Sequence, residues 1–528
     1  MGEYVYLRNI TKVEPLIAGW YAWCHLASPV QLALNMAYRY APSLRSFIAN
    51  AAVHEAASKN PKNLGGSFME LTREDLPAVK KLFQETQDKL SHLYSFADDL
   101  FKLDRRLQDE SGHSLDRLYD DLPPTLAGMV EVSYDINHHP SMRVLEELAH
   151  SGGLSSQLSQ EVSFTRVRDE KRNFFLNTPR LATSDRMIVS IPFADQRIDL
   201  LSRARIEAVE FTDLANALGV PEEAYSHFRD YFTDEAPVRK EPEYRGDDVR
   251  IRYFGHACVL IQTAQTSVLV DPFLTWDDYD SEDHLSFDDL PDHIDYVFLT
   301  HNHEDHFNVE LLLQLRSRIG CILVPRNNPN CMADPSMRLA LKALGFDRVK
   351  SMDWMDSIAI PDGTITSVPS YGEHSDINIS SKHGMHLSIK GRSFLFLADS
   401  DCKDRKLYQR IASVLGDVDT IFIGMECVGA PLTWMYGCYL SKPISRKDDE
   451  SRRLAGSDAA RASAFPEIFN CKNIYVYAMG QEPWMTFACG PQFTSESKQL
   501  IESNKFVSAC QEAGLVAERL FGCKTFYM

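Results

Sequence analysis

Apolar residues recur at helical spacing between Thr72 and Glu110, at Val79, Leu82, Leu90, Leu93, Leu100 and Leu107, which predicts one long amphipathic helix. Thr72 is placed to cap it, and Asp75 falls in the first turn, where negative charge meets the positive end of the helix dipole. A helix of that length suits a scaffold or a subunit interface. Short strand-like runs follow at Met129–Tyr134 and Met187–Ile191, so the first region mixes α and β. The stretch Asp234–Asp248 is charged, carries two prolines and has no apolar period; it reads as a linker.

After the linker the pattern sharpens. Val249–Gln262 and Ser267–Val270 read as two strands, the second ending at Asp271-Pro272, and Ile294–Leu299 as an apolar strand that runs into a histidine cluster. Asn308 is expected to cap a helix with Leu312, Leu315 and Ile319 on one face and Gly320 at its end. A second helix is expected with Asp334 as cap, Pro335 at its first position and Gly345 at its stop. Met385–Ile389 and Ser393–Leu397 form a hairpin across Lys390-Gly391-Arg392 and lead to Asp399. Strands alternating with helices, with polar residues at strand ends, predict a layered α/β architecture.

At 528 residues the chain exceeds what one core ordinarily supports. Two domains are therefore expected: a mixed α+β domain over 1–240, for dimerisation or partner docking, and a catalytic domain over 248–528. A net charge of -19 argues against nucleic acid or an anionic membrane as the main partner. Met1–Val30 lacks the basic and apolar segments of a signal peptide, Tyr6 stands where a myristoylation site needs Ser or Thr, and no apolar run approaches a membrane span. Eleven cysteines without CxxC spacing read as reduced thiols, so a cytoplasmic protein is expected.

The run Thr300-His301-Asn302-His303-Glu304-Asp305-His306 follows directly on a buried strand. Three imidazoles and a carboxylate in so short a span are hard to explain as packing, because each would need its own buried partner. In an extended loop His301 and His303 project to the same side and can share one metal, while Asp305 and His306 face a second. A solvated polar loop is the plainer alternative. Asn137-His138-His139-Pro140 reads as a polar turn, Arg166, Arg168, Lys171 and Arg172 as a solvated basic face, with a surface for an acidic carrier protein as the alternative, and Met425–Leu440 as core or pocket wall.

HxHxDH after an apolar strand, preceded by Gly255-His256 and Asp271-Pro272, resembles the metallo-β-lactamase fold over roughly residues 248–528. That resemblance implies an αββα sandwich with metals at one edge, and makes Asp271 a residue that orients a ligand. His256 reads as well as a structural histidine. Hydrolases of the fold add a further histidine, a bridging aspartate and a final histidine. Asp399 fits the bridge, Tyr371-Gly372-Glu373-His374 offers both Glu373 and His374, and no histidine follows His386. With Glu373 as ligand the site holds three imidazoles and three carboxylates, an oxygen-rich set suited to harder, redox-capable ions rather than zinc. His374 as ligand would restore a hydrolase-like site.

This pattern resembles the diiron β-hydroxylases of nonribosomal peptide pathways, which serve antibiotic biosynthesis. The resemblance implies two Fe ions in an oxo-bridged cluster on His301, His303, Asp305, His306, Glu373 and Asp399, with Glu373 also catalytic. It further implies O2 as cosubstrate, an aminoacyl thioester on a nonribosomal peptide synthetase carrier domain as substrate, an external electron donor, and a homodimer. The alternative function is a dinuclear hydrolase of the same fold, acting on a thioester, lactone or phosphodiester through a metal-bound hydroxide.

Overall fold

The computed structural model describes residues 2–152, 154, 159–166, 174–274, 284–485, 488 and 493–528. Before residue 234 the strands are Tyr4–Leu7 (β1), Thr11–Ile17 (β2), Trp20–Tyr21 (β3), Val130–Tyr134 (β4), Pro140–Val144 (β5), Gln160–Arg166 (β6), Arg186–Ser190 (β7), Val209–Glu210 (β8) and Phe232–Thr233 (β9). They pair as β8-β1-β9, β3-β2-β6-β7 and the hairpin β4-β5. The Asn137–Pro140 turn closes that hairpin, with His138 at φ 62°. Of the basic run, Arg166 is exposed at the end of β6; Arg168, Lys171 and Arg172 lie outside the described residues.

The expected long helix is two, Leu76–Lys89 and Ser91–Leu107, broken at Leu90 (φ -111°, ψ 20°). Thr72 and Asp75 do form a capping box. The break has a packing cause: the first helix lies against Ala41–Ser58 and the second against Pro29–Asn35, and one straight rod could not serve both. Apolar period alone carries no signal for such a break, because both segments keep their buried face in phase.

After residue 249 the strands are Arg250–Tyr253 (β10), Val259–Gln262 (β11), Ser267–Val270 (β12), Ile294–Phe298 (β13), Ile319–Pro325 (β14), Val349–Met352 (β15), Ser357–Ile360 (β16), Gly363–Val368 (β17), Gly384–Ile389 (β18), Arg392–Phe396 (β19), Thr420–Gly424 (β20), Asn473–Tyr477 (β21), Val516–Arg519 (β22) and Lys524–Tyr527 (β23). They form two seven-stranded mixed sheets, β15-β14-β13-β12-β11-β10-β23 and β16-β17-β18-β19-β20-β21-β22. Side chains such as Ile251, Val259, Phe298, Leu387, Phe396 and Tyr477 interleave between them as one core. Helices Arg405–Leu415, Ala464–Phe469 and Lys498–Glu512 cover the outer face of the second sheet, giving the expected αββα sandwich. The outer face of the first sheet, through Leu260, Leu269, Val297 and Ile322, belongs to the same hydrophobic cluster as Trp20, Leu34, Leu100 and Phe232. Within Asp234–Asp248, Arg239 and Lys240 are bonded to the Asp288–Leu290 turn, so the stretch read as a linker is packed down.

Three other boundaries differ from expectation. Val249–Gln262 is two strands separated by a turn in which Gly255 has φ 104° and His256 φ 49°. The helix capped by Asn308, which accepts from Leu311 N at 2.8 Å, ends at Leu315, and Ile319 and Gly320 begin β14. A Cβ on Gly320 would lie 2.5 Å from the Asp295 carbonyl, so this glycine serves strand approach rather than a helix stop. The next helix is capped by Ser336, whereas Asp334 is buried and accepts from Asn328 N at 2.7 Å and Ser380 N at 2.6 Å. No helix among the described residues is long and apolar enough to cross a membrane.

The buried pair Glu14–Arg180 is bidentate, at 2.9 and 3.0 Å, and ties β2 to the segment before β7. Arg180→Met should remove the bidentate guanidinium from buried Glu14 and lower unfolding stability by about 3–5 kcal/mol, read as a fall in the denaturation midpoint; an unchanged midpoint would show the pair to be structurally idle.

Candidate metal centre

The site lies beyond the carboxyl ends of strands from both sheets. β12 is followed by Asp271, β13 by Thr300–His306, β19 by Asp399 and β17 by the Tyr371–His374 loop. Backbone in the left-handed region gathers here, at His256 (49°), Asp271 (40°), Glu373 (64°) and Ala398 (46°). Such strain persists only where surrounding contacts hold it, and it concentrates at functional sites. Gly424, the last residue of β20, makes room for Asp399: a Cβ there would be 2.6 Å from Asp399 Oδ1.

The structure brings the six candidate side chains together. Asp399 Oδ2 is 3.6 Å from His301 Nε2 and 3.1 Å from His306 Nε2. His301 Nε2 is 3.1 Å from His303 Nδ1, which is 3.2 Å from Glu373 Oε1. Asp305 Oδ2 is 3.8 Å from His306 Nε2 and 3.2 Å from His256 Nε2. Among the described residues two groups have metal-holding spacing: His301, His306 and Asp399, and His256, Asp305 and His306.

Hydrogen bonds fix which ring nitrogens face inward. Asp271 accepts from Thr300 N and Thr300 Oγ1, both at 2.7 Å, and from His306 Nδ1 at 2.8 Å. Thr300 Oγ1, having donated to Asp271, accepts from His301 Nδ1 at 3.0 Å. One buried carboxylate thus sets the orientation of two imidazoles and leaves both Nε2 atoms toward the cluster. His303 points Nδ1 inward because its Nε2 meets Tyr436 Oη at 2.9 Å. His256 differs: its Nδ1 accepts from Gly480 N at 3.1 Å, so Nε2 carries the proton that faces Asp305.

The opposite side of the loop is held by residues far away in sequence. Glu304 accepts from Tyr21 Oη (3.1 Å), Cys24 N (3.2 Å) and Asn308 Nδ2 (2.8 Å). His25 bridges the Asn302 carbonyl and Tyr439 Oη. The loop is a bend leading into a turn closed by His306 N on the His303 carbonyl; the Asn302 carbonyl and the Glu304 side chain meet this support while His301 and His303 face the cluster. Sequence reading had no signal for Tyr21, Cys24 and His25, which lie some 280 positions from their partners. Tyr436 stood in the Met425–Leu440 stretch already read as core or pocket wall.

The electrostatics fit a cationic occupant. Burial, then repulsion by Asp399 and Asp305, raises the Glu373 carboxyl well above the usual carboxylate range. Burial opposes charge on His306, yet Asp399, Asp305 and Asp271 outweigh it and raise that imidazole well above its ordinary value. Burial and the neighbouring rings of His306 and His303 keep His301 far below its ordinary value, in the neutral form a metal requires. Glu373 Oε2 and Asp399 Oδ1 are buried with no hydrogen-bond partner among the described residues. His374 Nδ1 is likewise unpartnered, but its ring stacks on His303, centroids 4.7 Å apart and planes at 18°.

A family model described as the diiron non-heme beta-hydroxylase N-terminal domain matches residues 6–237, and a beta-lactamase superfamily domain matches residues 250–424. The chain is 34% identical over 525 residues to a 4-amino-L-phenylalanyl-[CmlP-peptidyl-carrier-protein] 3-hydroxylase of Streptomyces venezuelae, covering 97% of this chain and 98% of that one. It is similar to the crystal structure of CmlA, a diiron beta-hydroxylase from the same organism, with TM-score 0.93, 33% identity and full coverage (100%) of both chains. A mutant of CmlA superposes at TM-score 0.90 with 34% identity, covering 99% of this chain and 100% of that one.

Substitutions at two positions test the supports. Asp271→Ala should weaken metal retention against a chelator by roughly 10–100-fold, because His306 loses its orienting acceptor and Thr300, which orients His301, loses its own; retention equal to the parent protein would refute that role. Glu304→Ala should cost about 1–3 kcal/mol by leaving buried donors unmet, and Glu304→Gln, which keeps an acceptor, distinctly less; equal denaturation midpoints for the two would argue against the contact.

Proposed function

The chain belongs to the diiron non-heme β-hydroxylase family, and from that premise we propose that it hydroxylates the β-carbon of an aminoacyl group carried as a thioester on a peptidyl carrier domain. Its cofactor is accordingly a pair of iron ions and its cosubstrate O2. We assign the irons to His301, His303, Asp305, His306, Glu373 and Asp399, with Glu373 closest to the reaction. The observation that carries this assignment is the convergence of three carboxylates, Asp399 buried and Asp305 and Glu373 half-buried, on three inward-facing imidazole nitrogens, with Glu373 Oε2 and Asp399 Oδ1 left unpartnered among the described residues. Support for Glu373 over His374 comes from ring geometry, since a ring stacked flat on His303 does not aim a nitrogen at the same point.

Iron held there would supply redox and Lewis-acid chemistry, by which one atom of O2 enters a C–H bond with two electrons from an external donor. The chain's own part is positional. Asp271, Thr300 and Tyr436 hold the imidazoles; Trp434, Met435 and Leu454 line a cavity of about 530 Å³ that reaches His303, Asp305 and Glu373. Those walls shield the reacting carbon from water, and the cavity admits the tethered group to the metal side chains. Residues 1–240, as a domain that makes a homodimer and meets the carrier, and a cytoplasmic location complete the reading.

Purified protein should hold close to two irons per chain, with near-ultraviolet iron absorption, and Asp399→Ala should lose at least one; stoichiometric zinc without those bands would defeat the iron reading. Glu373→Gln should perturb iron binding more than His374→Ala; the reverse order would move the ligand to His374. In single-turnover reactions with labelled O2, carrier-bound amino acid should gain one oxygen, about 16 mass units, since a monooxygenase inserts one atom of O2. Equal turnover of the free amino acid would refute the tethered substrate and leave the metal assignment standing.

A further inference from the structure

Glu426, two residues beyond the end of β20, lines the same cavity as His303, Asp305 and Glu373. Among the described residues its carboxylate has no hydrogen bond or ion pair, and the charges acting on it most strongly are those of Glu373, Asp399 and Asp305. The cations lining the cavity do not relieve it. Lys62 and Arg453 are exposed, at the solvent end, and neither forms an ion pair; Arg453 Nε donates instead to the Gly429 carbonyl at 2.8 Å. The cavity is therefore anionic inside and cationic outside. Asp305, Glu373 and Asp399 are assigned to metal and Glu304 is taken up by Tyr21, Cys24 and Asn308, which leaves Glu426 as the inner carboxylate without a partner among the described residues. A half-buried carboxylate without a partner is destabilising unless a ligand brings the opposite charge.

We propose that Glu426 binds the α-ammonium of the substrate's aminoacyl group and so determines which carbon faces the metal side chains. The inference rests on the reading that the substrate is an aminoacyl thioester, and deepens it. In such a thioester the ammonium is the cation nearest the reacting carbon, two bonds from it through the α-carbon. Holding the ammonium at Glu426 while the thioester runs toward the opening fixes two substituents of the α-carbon. The β-carbon must then take a third direction, toward His303 and Glu373. A charge-assisted hydrogen bond in a cavity with restricted water is strong and directional, and a site built around it rejects an analogue that lacks the donor.

The test uses iron-loaded full-length enzyme with two carriers, one bearing the aminoacyl group and one the same acyl group without its amine. Wild type should favour the aminoacyl carrier in single-turnover rate by on the order of 10³-fold, somewhat below the discrimination of sites built to pair a substrate N–H. Glu426→Gln should collapse that preference to within about tenfold, by loss of aminoacyl turnover, while keeping two irons per chain; Glu426→Asp, which retains the charge, should recover most of it. Unchanged discrimination in Glu426→Gln would overturn the proposal, and so would loss of iron, which would make Glu426 a ligand. Wild type inert toward both carriers would instead defeat the substrate reading itself, and this inference with it.

Discussion

Asp305, Glu373 and Asp399 converge at the carboxyl ends of strands from two sheets, and a carboxylate taken out of water needs a proton or a compensating charge. Among the described residues no arginine or lysine forms an ion pair with Glu373 or Asp399, and imidazoles lie close to all three. Those imidazoles are committed elsewhere through their other nitrogen, to Asp271, Thr300 and Tyr436. What remains in the middle is a space bounded by negative charge and nitrogen lone pairs. The left-handed backbone at Asp271, Glu373 and Ala398 and the bare Cα of Gly424 all serve to keep the carboxylates there. A collapse that satisfied them with one another would need less strain.

Holding such a cluster open takes material on both sides of the loop. The sandwich supplies one side through Asp271. The other comes from Tyr21–His25, just after β2 and within the first half of the chain, whose contacts with Asn302 and Glu304 form a second, metal-free face. The first half is thus part of the mechanism that sets the loop's pitch, in keeping with a hydrophobic cluster that runs without interruption from Val5 to Met485. An excised C-terminal half would expose both that cluster and the back of the metal loop.

The layered fold was legible because its strands are buried on both faces and bounded by turn residues, so β12, β13, β18 and β19 fall within a residue or two of their apolar runs. Where one residue type can do two jobs the reading went astray. Gly320 looked like a helix stop and is a point of strand approach; Asp334 looked like a cap and is a buried acceptor for two loops. The break at Leu90 left no mark in the period of apolar positions. In the site, the contiguous run His301–His306 announced itself. Glu304 did not stand apart from it, although its carboxylate faces the other way. Tyr21, Cys24, His25 and Glu426 carry no local pattern, since their meaning depends on partners brought near only by the fold.

His256 explains why the departure from a hydrolase-like ligand set matters. It is the imidazole beside Asp305, and by spacing alone it could join a metal site. The Gly480 amide prevents this: a backbone N–H that donates to Nδ1 leaves the proton on Nε2, so the ring offers Asp305 a donor rather than offering a metal a lone pair. Asp305 is thereby held in its carboxylate form, well below the usual range despite its burial, by His306 and by His256. The imidazole of His256 thus supports a carboxylate of the candidate site instead of offering a lone pair there. Catalytic metal sites keep a place that the protein does not fill, and the chain's lack of any histidine after His386 works in the same direction. Together they leave the candidate donors rich in oxygen and short of nitrogen, which suits iron and O2 better than zinc and water.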